Sequence, residues 1–424
     1  MEFQLKHYDI TYEELMALEP TPHILPKKPS LFWRSLAWVL SYPAIKGVNF
    51  KMERLGMDKL GKDEPALIFM NHSNFLDFEI AMHALWPRRV NIVATFDAFI
   101  NKAFALRGVG CIPTRKFTTD FNLIRDIKYC LNTLHTSVLM YPEADYSYGG
   151  RAHTIPKSVA GLIKMLGVPF CMLETYGGFI NDPIYNNLHD RRSDVSATLR
   201  YVLSPEQIKE MSVEEIYEVL LREFSFDGFR WQREKGIVID NPERAKDLHK
   251  ILYKCPICGA EGRMEGKGTM LTCHACGKEW ELDELGVLRA TDGKGVFDHI
   301  PDWYDWEREC VRREILDGEY GFDVPAELYA MVNTKGLYHI GNGRISHGIE
   351  GMRITGCDGK LDFYKKSVSM YAVGAAFHWH KVGDGICIGD NSITYLAALR
   401  EDTHLVMKAR FASEEIYKIL KNKE

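Results

Sequence analysis

Two Cys-x-x-Cys pairs, Cys255-Pro-Ile-Cys258 and Cys273-His-Ala-Cys276, stand fourteen residues apart. Four thiolates at this spacing match the tetrahedral sulfur set of a structural zinc, so the chain between them must double back as a small ribbon. Gly259 and Gly277 directly follow the two pairs, where a tight turn around a thiolate calls for glycine. The competing reading is a pair of redox dithiols. All four positions are Cys, which leaves no coordination place for a substrate, and His274 is not expected to be a ligand. A ribbon over 250–290 divides the 424 residues into an N-terminal and a C-terminal part and reads as a clip between them. Zinc ribbons often bind nucleic acid. Here residues 254–284 hold four basic and six acidic residues and the whole chain has a net charge of -5, so no nucleic-acid partner is expected. The other six cysteines, Cys111, Cys130, Cys171, Cys310, Cys357 and Cys387, are scattered and read as core thiols. The opening Met-Glu-Phe-Gln-Leu-Lys-His is too polar for a secretory signal, and a cytoplasmic location is expected.

The N-terminal part alternates strands and helices. Residues 48–60 read as a strand and turn, and 66–70 are an apolar run of buried-strand length. Asn71-His72-Ser73-Asn74 supplies turn and cap chemistry, and 75–85, free of Gly and Pro, continues as a helix. Strands are expected at 91–96, 111–114, 137–141 and 169–173, and helices at 98–107, 121–134 and 158–166, the second capped by Thr119 or Asp120. Ser204-Pro205 and the capping box Ser212-Val-Glu-Glu215 start two more helices. This alternation indicates an α/β fold, a largely parallel sheet flanked by helices.

His72 and Asp77 fall at the junction of strand and helix. Five residues apart, they do not share a helix face. His72 should lie in the turn and Asp77 in the first helical turn, reaching back to hold one imidazole nitrogen and leave the other free as a base. His189 and Asp194 have the same spacing but no apolar strand before them, and that pair is read as accidental.

Three later stretches follow in order: Gly108-Val-Gly-Cys-Ile-Pro-Thr-Arg115-Lys116, Met140-Tyr-Pro142-Glu143-Ala-Asp-Tyr-Ser147 and Gly167-Val-Pro169-Phe. Together with His72 and Asp77 they resemble the ordered motifs of the glycerolipid acyltransferases, the lysophosphatidate and glycerol-3-phosphate acyltransferase family, over about residues 48–226. The resemblance implies an O-acyltransferase that moves a fatty acyl group from acyl-CoA or acyl carrier protein to a hydroxyl of a lysophospholipid or glycerol-phosphate-like acceptor. His72 would be the general base and Asp77 its partner, with no metal needed in the transfer. It also implicates Arg115 and Glu143 in holding the acceptor's phosphate. Lys116, Ser147, Arg151 and Lys157 are further substrate-binding candidates, the cations because phosphate recognition uses the Arg fork and the Lys point charge. The third motif departs from the family, where Pro-Glu is followed by Gly-Thr-Arg-Ser; here Ala144-Asp145-Tyr146-Ser147 stands in its place. The motif arginine is missing, Arg151 is a possible substitute, and a carbohydrate, polyol or modified headgroup becomes a candidate acceptor. The alternative function is a non-catalytic lipid- or protein-binding adaptor that keeps an acyltransferase-like core.

Residues 1–30 read as an irregular arm, and 31–42 as an amphipathic helix with Phe32, Leu36, Val39 and Leu40 on one face beside Trp33 and Trp38. It is too short to span a bilayer and suits an interfacial helix, which makes the membrane surface an expected partner and the protein peripherally associated. The domain boundaries expected are 1–47 for arm and helix, 48–245 for the acyltransferase-like domain, 250–290 for the ribbon and 324–424 for a β-rich domain. A polar helix is expected at 302–316. From 324 onward eight short β-rich runs separated by Gly-Asn-Gly and Asp-Gly turns are followed by a last strand at 404–411 and a helix at 413–420. This pattern resembles a pleckstrin-homology or GRAM-type binding module. His347, His378 and His380 are expected on strand surfaces.

Overall fold

The computed structural model describes residues 5–118, 120–187, 191, 193–379 and 381–421. Thr119, His189 and His380 lie outside them.

The arm is ordered and already committed to the far end of the chain. Strand β1 (His7–Asp9) runs parallel to residues 337–339 of the C-terminal sheet, α1 (Tyr12–Met16) opens with a Thr11/Glu14 capping box and buries Leu15, and the His23 imidazole lies 3.0 Å from both oxygens of Asp126. The expectation of an irregular arm fails because the strand edge it covers is presented by residues more than three hundred positions away.

Helix α2 (Leu31–Gly47) runs past the expected 31–42 and through Pro43; Pro43 and Val39, whose carbonyl loses its partner, are both exposed. This helix is inside out. It buries Arg34, whose guanidinium donates to the carbonyls of Pro87 and Arg88, and Ser41, which meets His83. It exposes Leu31, Phe32, Val39 and Leu40, with Phe32 at 66% and Leu40 at 69%. Among the described residues no helix is long and apolar enough to cross a membrane.

The N-terminal part is built on β2 (Lys51–Leu55), β3 (Leu67–Met70), β4 (Val90–Thr95), β5 (Ile112–Thr114), β6 (Ser137–Met140), β7 (Phe170–Tyr176) and β8 (Ser196–Leu203), in the order β2-β8-β7-β3-β6-β4-β5. All neighbours are parallel except β7 and β8, so the sheet is largely parallel as expected; β8, a half-buried alternating strand, is the element the apolar runs did not reveal. Its helices are α3 (Leu76–Ala84), α4 (Ala103–Val109), α5 (Phe121–Asn132), α6 (Ser158–Leu166), α7 (Gly178–Asn181), α8 (Pro205–Glu210), α9 (Val213–Glu223) and α10 (Gly228–Lys235). Asp120 caps α5, and Ser204 and Ser212 each close a capping box. Strand β3 is central and wholly buried, with parallel neighbours on both sides, so its C-terminal end opens at the middle of the sheet edge, where α/β proteins place ligands.

The ribbon is a four-stranded antiparallel sheet of β9 (Met264–Lys267), β10 (Met270–Cys273), β11 (Glu279–Leu282) and β12 (Leu288–Ala290). Helix α11 (Ile300–Asp317) follows. The last sheet comprises β13 (Phe322–Met331), β14 (Leu337–Gly348), β15 (Gly351–Gly356), β16 (Leu361–Lys366), β17 (Gly374–Trp379), β18 (Gly383–Gly389) and β19 (Thr394–Leu399), ordered β16-β15-β14-β13-β19-β18-β17, with β1 beside β14 where β15 no longer reaches. One apolar core runs from Tyr253 and Trp280 of the ribbon region through Trp303 into this sheet.

The expected final strand at 404–411 is instead the first half of α12 (Leu405–Lys421), one continuous helix. Its first three turns are buried on every side, so they lack the one-faced periodicity that marks a surface helix. His347 is also corrected: it is buried, and its Nδ1 meets the Tyr320 hydroxyl at 2.7 Å. His378 is only partly covered and faces Asp247 at 3.2 Å.

Candidate active site

The turn after β3 does what the spacing of His72 and Asp77 asks. Asn71 extends the strand pairing past its end: its side chain donates to the Thr175 carbonyl at 2.9 Å and accepts from the Thr175 N–H at 2.7 Å. Asp77, in the first turn of α3, turns back toward residues 72–74. Its Oδ2 accepts from His72 Nδ1 at 2.8 Å, from the Ser73 N–H at 2.6 Å and from the Asn74 N–H at 3.1 Å. A carboxylate can only accept here, so Nδ1 carries the proton and Nε2 the lone pair. Asp77 is buried and the His72 side chain keeps 18% of its surface, and Nε2 has no hydrogen-bond partner among the described residues.

Two aromatic rings flank the imidazole. Tyr141 stacks on it at 4.0 Å and Tyr146 lies at 4.3 Å; Phe75, 64% exposed, stands edge-on to Tyr146. Burial pushes both phenols well above 10, so they stay neutral, and neither hydroxyl has a hydrogen-bond partner among the described residues. Sequence reasoning passed over both rings, although Tyr146 stands where the resembled motif has its arginine. Glu79, one helical step from Asp77, is pushed up to about 7 by burial and by the Asp77 charge.

The other expected substrate-binding residues are not gathered around His72. Arg115 is buried and donates to the carbonyls of Met331, Val332 and Ser392 and to the Thr394 hydroxyl, with its guanidinium over the Phe96 ring. It docks the C-terminal sheet rather than facing an acceptor. Glu143 is fully buried and accepts from the N–H groups of His72 and His153, each at 3.0 Å; burial pushes its carboxyl up to about 8. It holds the turn that carries His72. Ser147 is likewise internal, its N–H donating to the His72 carbonyl at 2.7 Å and its hydroxyl to the Arg151 carbonyl at 2.8 Å. Arg151 is surrounded by Asp227, Asp302 and Asp305 at 2.7–2.9 Å, and Lys157 pairs with Glu214 on the surface. Only Lys116 stays beside the site, bound at 2.8 Å to Asp145, the residue before Tyr146. Burial alone would lower the Lys116 ammonium, but Asp145 and Asp97 raise it above its usual range, and the same pairing with help from Arg410 holds Asp145 below its own. In each corrected case the partner lies on an element distant in sequence.

The third-motif loop is supported from below by α12. Arg410, fully buried, approaches Asp145 at 3.9 Å and pairs with Glu414 at 2.6 Å, while Glu414 accepts from Thr154 at 2.9 Å and from Arg308 at 2.6 Å. Arg410 falls in the expected strand at 404–411 and Glu414 in the expected helix at 413–420, and this division hid their i,i+4 pairing on one helix.

Among the described residues one group of side chains could hold a metal, Cys255, Cys258, Cys273 and Cys276. Their Sγ atoms lie within 4.8 Å of one another, and the pairs Cys255–Cys276 and Cys258–Cys273 are 3.8 Å apart. Four thiolates about 2.3 Å from a tetrahedral zinc would be separated by about 3.8 Å, so the set fits. Helix α11 clasps the entry to the first knuckle: Trp303 donates to the Lys254 carbonyl at 3.0 Å and Glu307 accepts its N–H at 2.7 Å.

Residues 51–172 match the family model described as Acyltransferase. No curated protein matches the chain. Among solved structures the chain is similar to the 1-acyl-sn-glycerophosphate (LPA) acyltransferase PlsC from Thermotoga maritima, at 14% identity over 45% of this chain and 78% of that one, with a TM-score of 0.36. At that score the likeness carries no functional argument. The matched segment contains β3, His72, Asp77 and the loops of the second and third motifs, so the similarity to the Acyltransferase family covers the stretch that carries those motifs.

Proposed function

We propose that the protein transfers an acyl group from a soluble thioester, acyl-CoA or acyl carrier protein, to a hydroxyl of a lipid-borne acceptor at a membrane surface. The observation that carries this reading is the oriented His72: Nδ1 is held by Asp77 at 2.8 Å, and Nε2 is free at the open end of the central strand. The acceptor hydroxyl gives its proton to Nε2, its oxygen attacks the thioester carbonyl carbon, and Asp77 stabilises the imidazolium. As the tetrahedral intermediate collapses the C–S bond breaks and the thiolate takes that proton, leaving an ester and a free thiol. An acceptor of the lysophospholipid or glycerol-phosphate kind is what the family resemblance implies.

The inverted α2 supports peripheral membrane association, with Phe32, Val39 and Leu40 exposed and Phe104 packed edge-on against Trp33 at 5.6 Å. We assign zinc to the four thiolates, as a structural ion holding the ribbon; it takes no part in the transfer.

His72→Ala tests the reading. Thioester-dependent acylation should fall by ~10²–10⁴, the usual loss of a general base, while circular dichroism and zinc content stay unchanged. Full acylation by His72→Ala would remove His72 from the mechanism. Absence of thioester chemistry in the wild type would favour the adaptor reading.

A further inference from the structure

We propose that the acceptor hydroxyl belongs to an uncharged polyhydroxylated group, a glycerol or sugar without a phosphate beside it. The inference rests on the acyl-transfer reading and specifies its second substrate.

A phosphate dianion needs fixed, unspent cations: forked guanidinium donors, ammonium groups, or backbone N–H groups aimed at it. Of the four cations whose positions in the sequence suggested this role, three are spent elsewhere. Arg115 has its two terminal nitrogens on four oxygens of the C-terminal sheet. Arg151 meets three aspartates, and Lys157 meets Glu214. Lys116 remains, but its charge is matched by Asp145 at 2.8 Å, and Asp145 stands one residue from the ring that flanks His72. A phosphate drawn to Lys116 would meet that carboxylate, with Asp77 close behind His72. Arg410 cannot replace the absent motif arginine, because it is fully buried behind Asp145.

What the described residues around Nε2 offer instead is aromatic rings and neutral hydroxyls. Tyr141 and Tyr146 flank the His72 ring, Phe75 stands edge-on to Tyr146, and neither phenol hydroxyl has a hydrogen-bond partner among the described residues. Ring faces that pack against C–H groups, with neutral donors at their edges, suit a polyol and give a phosphate no counter-charge.

The test compares matched acceptors on the full-length protein with palmitoyl-CoA as donor. 1-Monoacylglycerol and 1-acylglycerol 3-phosphate, each in phosphatidylcholine vesicles, differ only in the phosphate; a glucosyl diacylglycerol in the same vesicles and free glycerol or glucose in solution separate a lipid headgroup from a soluble polyol. The expected result is a kcat/KM at least about tenfold higher for the neutral member of the matched pair. A preference for the phosphate would overturn the inference and leave the acyltransferase reading standing. Thioester consumption that yields no ester with any acceptor and is unchanged in His72→Ala would overturn both. Tyr146→Arg, which restores the residue of the resembled motif, should move the preference toward the phosphate by about tenfold. A variant whose preference does not move would overturn the place given to the Tyr146 ring.

Discussion

Helices α2 and α12, one in the N-terminal part and one packed on the C-terminal sheet, have seventeen residues each and bury opposite things. In α2 the polar residues Arg34 and Ser41 face inward beside Ile45, and the apolar Leu31, Phe32, Val39 and Leu40 face out. In α12 the first three turns are enclosed whole, and the buried Arg410 and Glu414 answer one another and the third-motif loop. Arg34 is satisfied by two backbone carbonyls, and its helix is left with an apolar face that none of the described residues covers. The apolar residues of α12 are covered by α11 and the C-terminal sheet. A helix of this size is therefore not explained by its own pattern; what matters is whether its apolar surface finds a partner inside the chain or outside it.

If α12 is a charge-bearing strut, cutting its central charge should be the most damaging change. Arg410→Met takes from the buried Glu414 and Asp145 the cation they share, leaving only Arg308 on the one and Lys116 on the other, and should lower unfolding stability by about 3–5 kcal/mol, as removal of one member of a buried pair does. Thermal and denaturant unfolding measure it, and Arg410→Met with Glu414→Gln should cost less than the two singles together. A loss under about 1 kcal/mol for Arg410→Met would end the contrast drawn with α2.

The opposite is expected of α2. Phe32→Ser with Leu40→Ser should change stability by no more than about 0.5 kcal/mol, as surface substitutions do. Binding to anionic vesicles in a flotation assay should weaken by at least about tenfold, since each apolar side chain carries about 1.5–3 kcal/mol of burial. Vesicle binding untouched by the double substitution would mean that the exposed face serves something else.

The loop that α12 supports should show itself in the pH dependence of stability. Glu143 is raised from 4.5 to about 8 by burial, so the native state holds a proton that the unfolded chain has lost, and stability falls as pH rises through that window. His153, which donates to it, is lowered from 6.5 to about 4 by burial and by Arg410, and contributes the opposite slope between those values. The two oppose each other up to 6.5; above it His153 no longer contributes, and Glu143, joined by Glu79 up to about 7, lowers stability toward about 8. The melting temperature should fall across that upper interval, by up to about 1.4 kcal/mol of stability per pH unit, and Glu143→Gln should flatten the fall.

The smallest effect belongs to Ala144. It holds φ +57, the left-handed conformation that the family's glycine adopts without strain. Ala144→Gly should stabilise the protein by about 1 kcal/mol, read as a rise of a few degrees or less in the melting temperature.

Features written within a few residues were legible. The strand, turn and helix around His72, the caps at Asp120, Ser204 and Ser212, and the four-cysteine cluster all depend on contacts between near neighbours, and each appears as its spacing required. The alternation of strands and helices likewise announced a largely parallel sheet, while β8 was lost because a half-buried strand carries no continuous apolar run.

What the chain alone could not disclose was where its charges go. Arg115 and Lys116 are adjacent in sequence, yet one is taken by carbonyls more than two hundred residues away and the other by a carboxylate beside the base. Buried charge must find an opposite charge or a row of carbonyls, and which one it finds depends on the packing of whole elements. The sequence by itself therefore determined the parallel strands of the sheet, the four-cysteine cluster and the His72–Asp77 pair, through short-range geometry. Only the tertiary structure decided that the arm joins the last sheet, that α2 turns Phe32, Val39 and Leu40 outward, and that Arg115 docks the C-terminal sheet while Glu143 braces the turn of His72, because those outcomes are set by long-range burial.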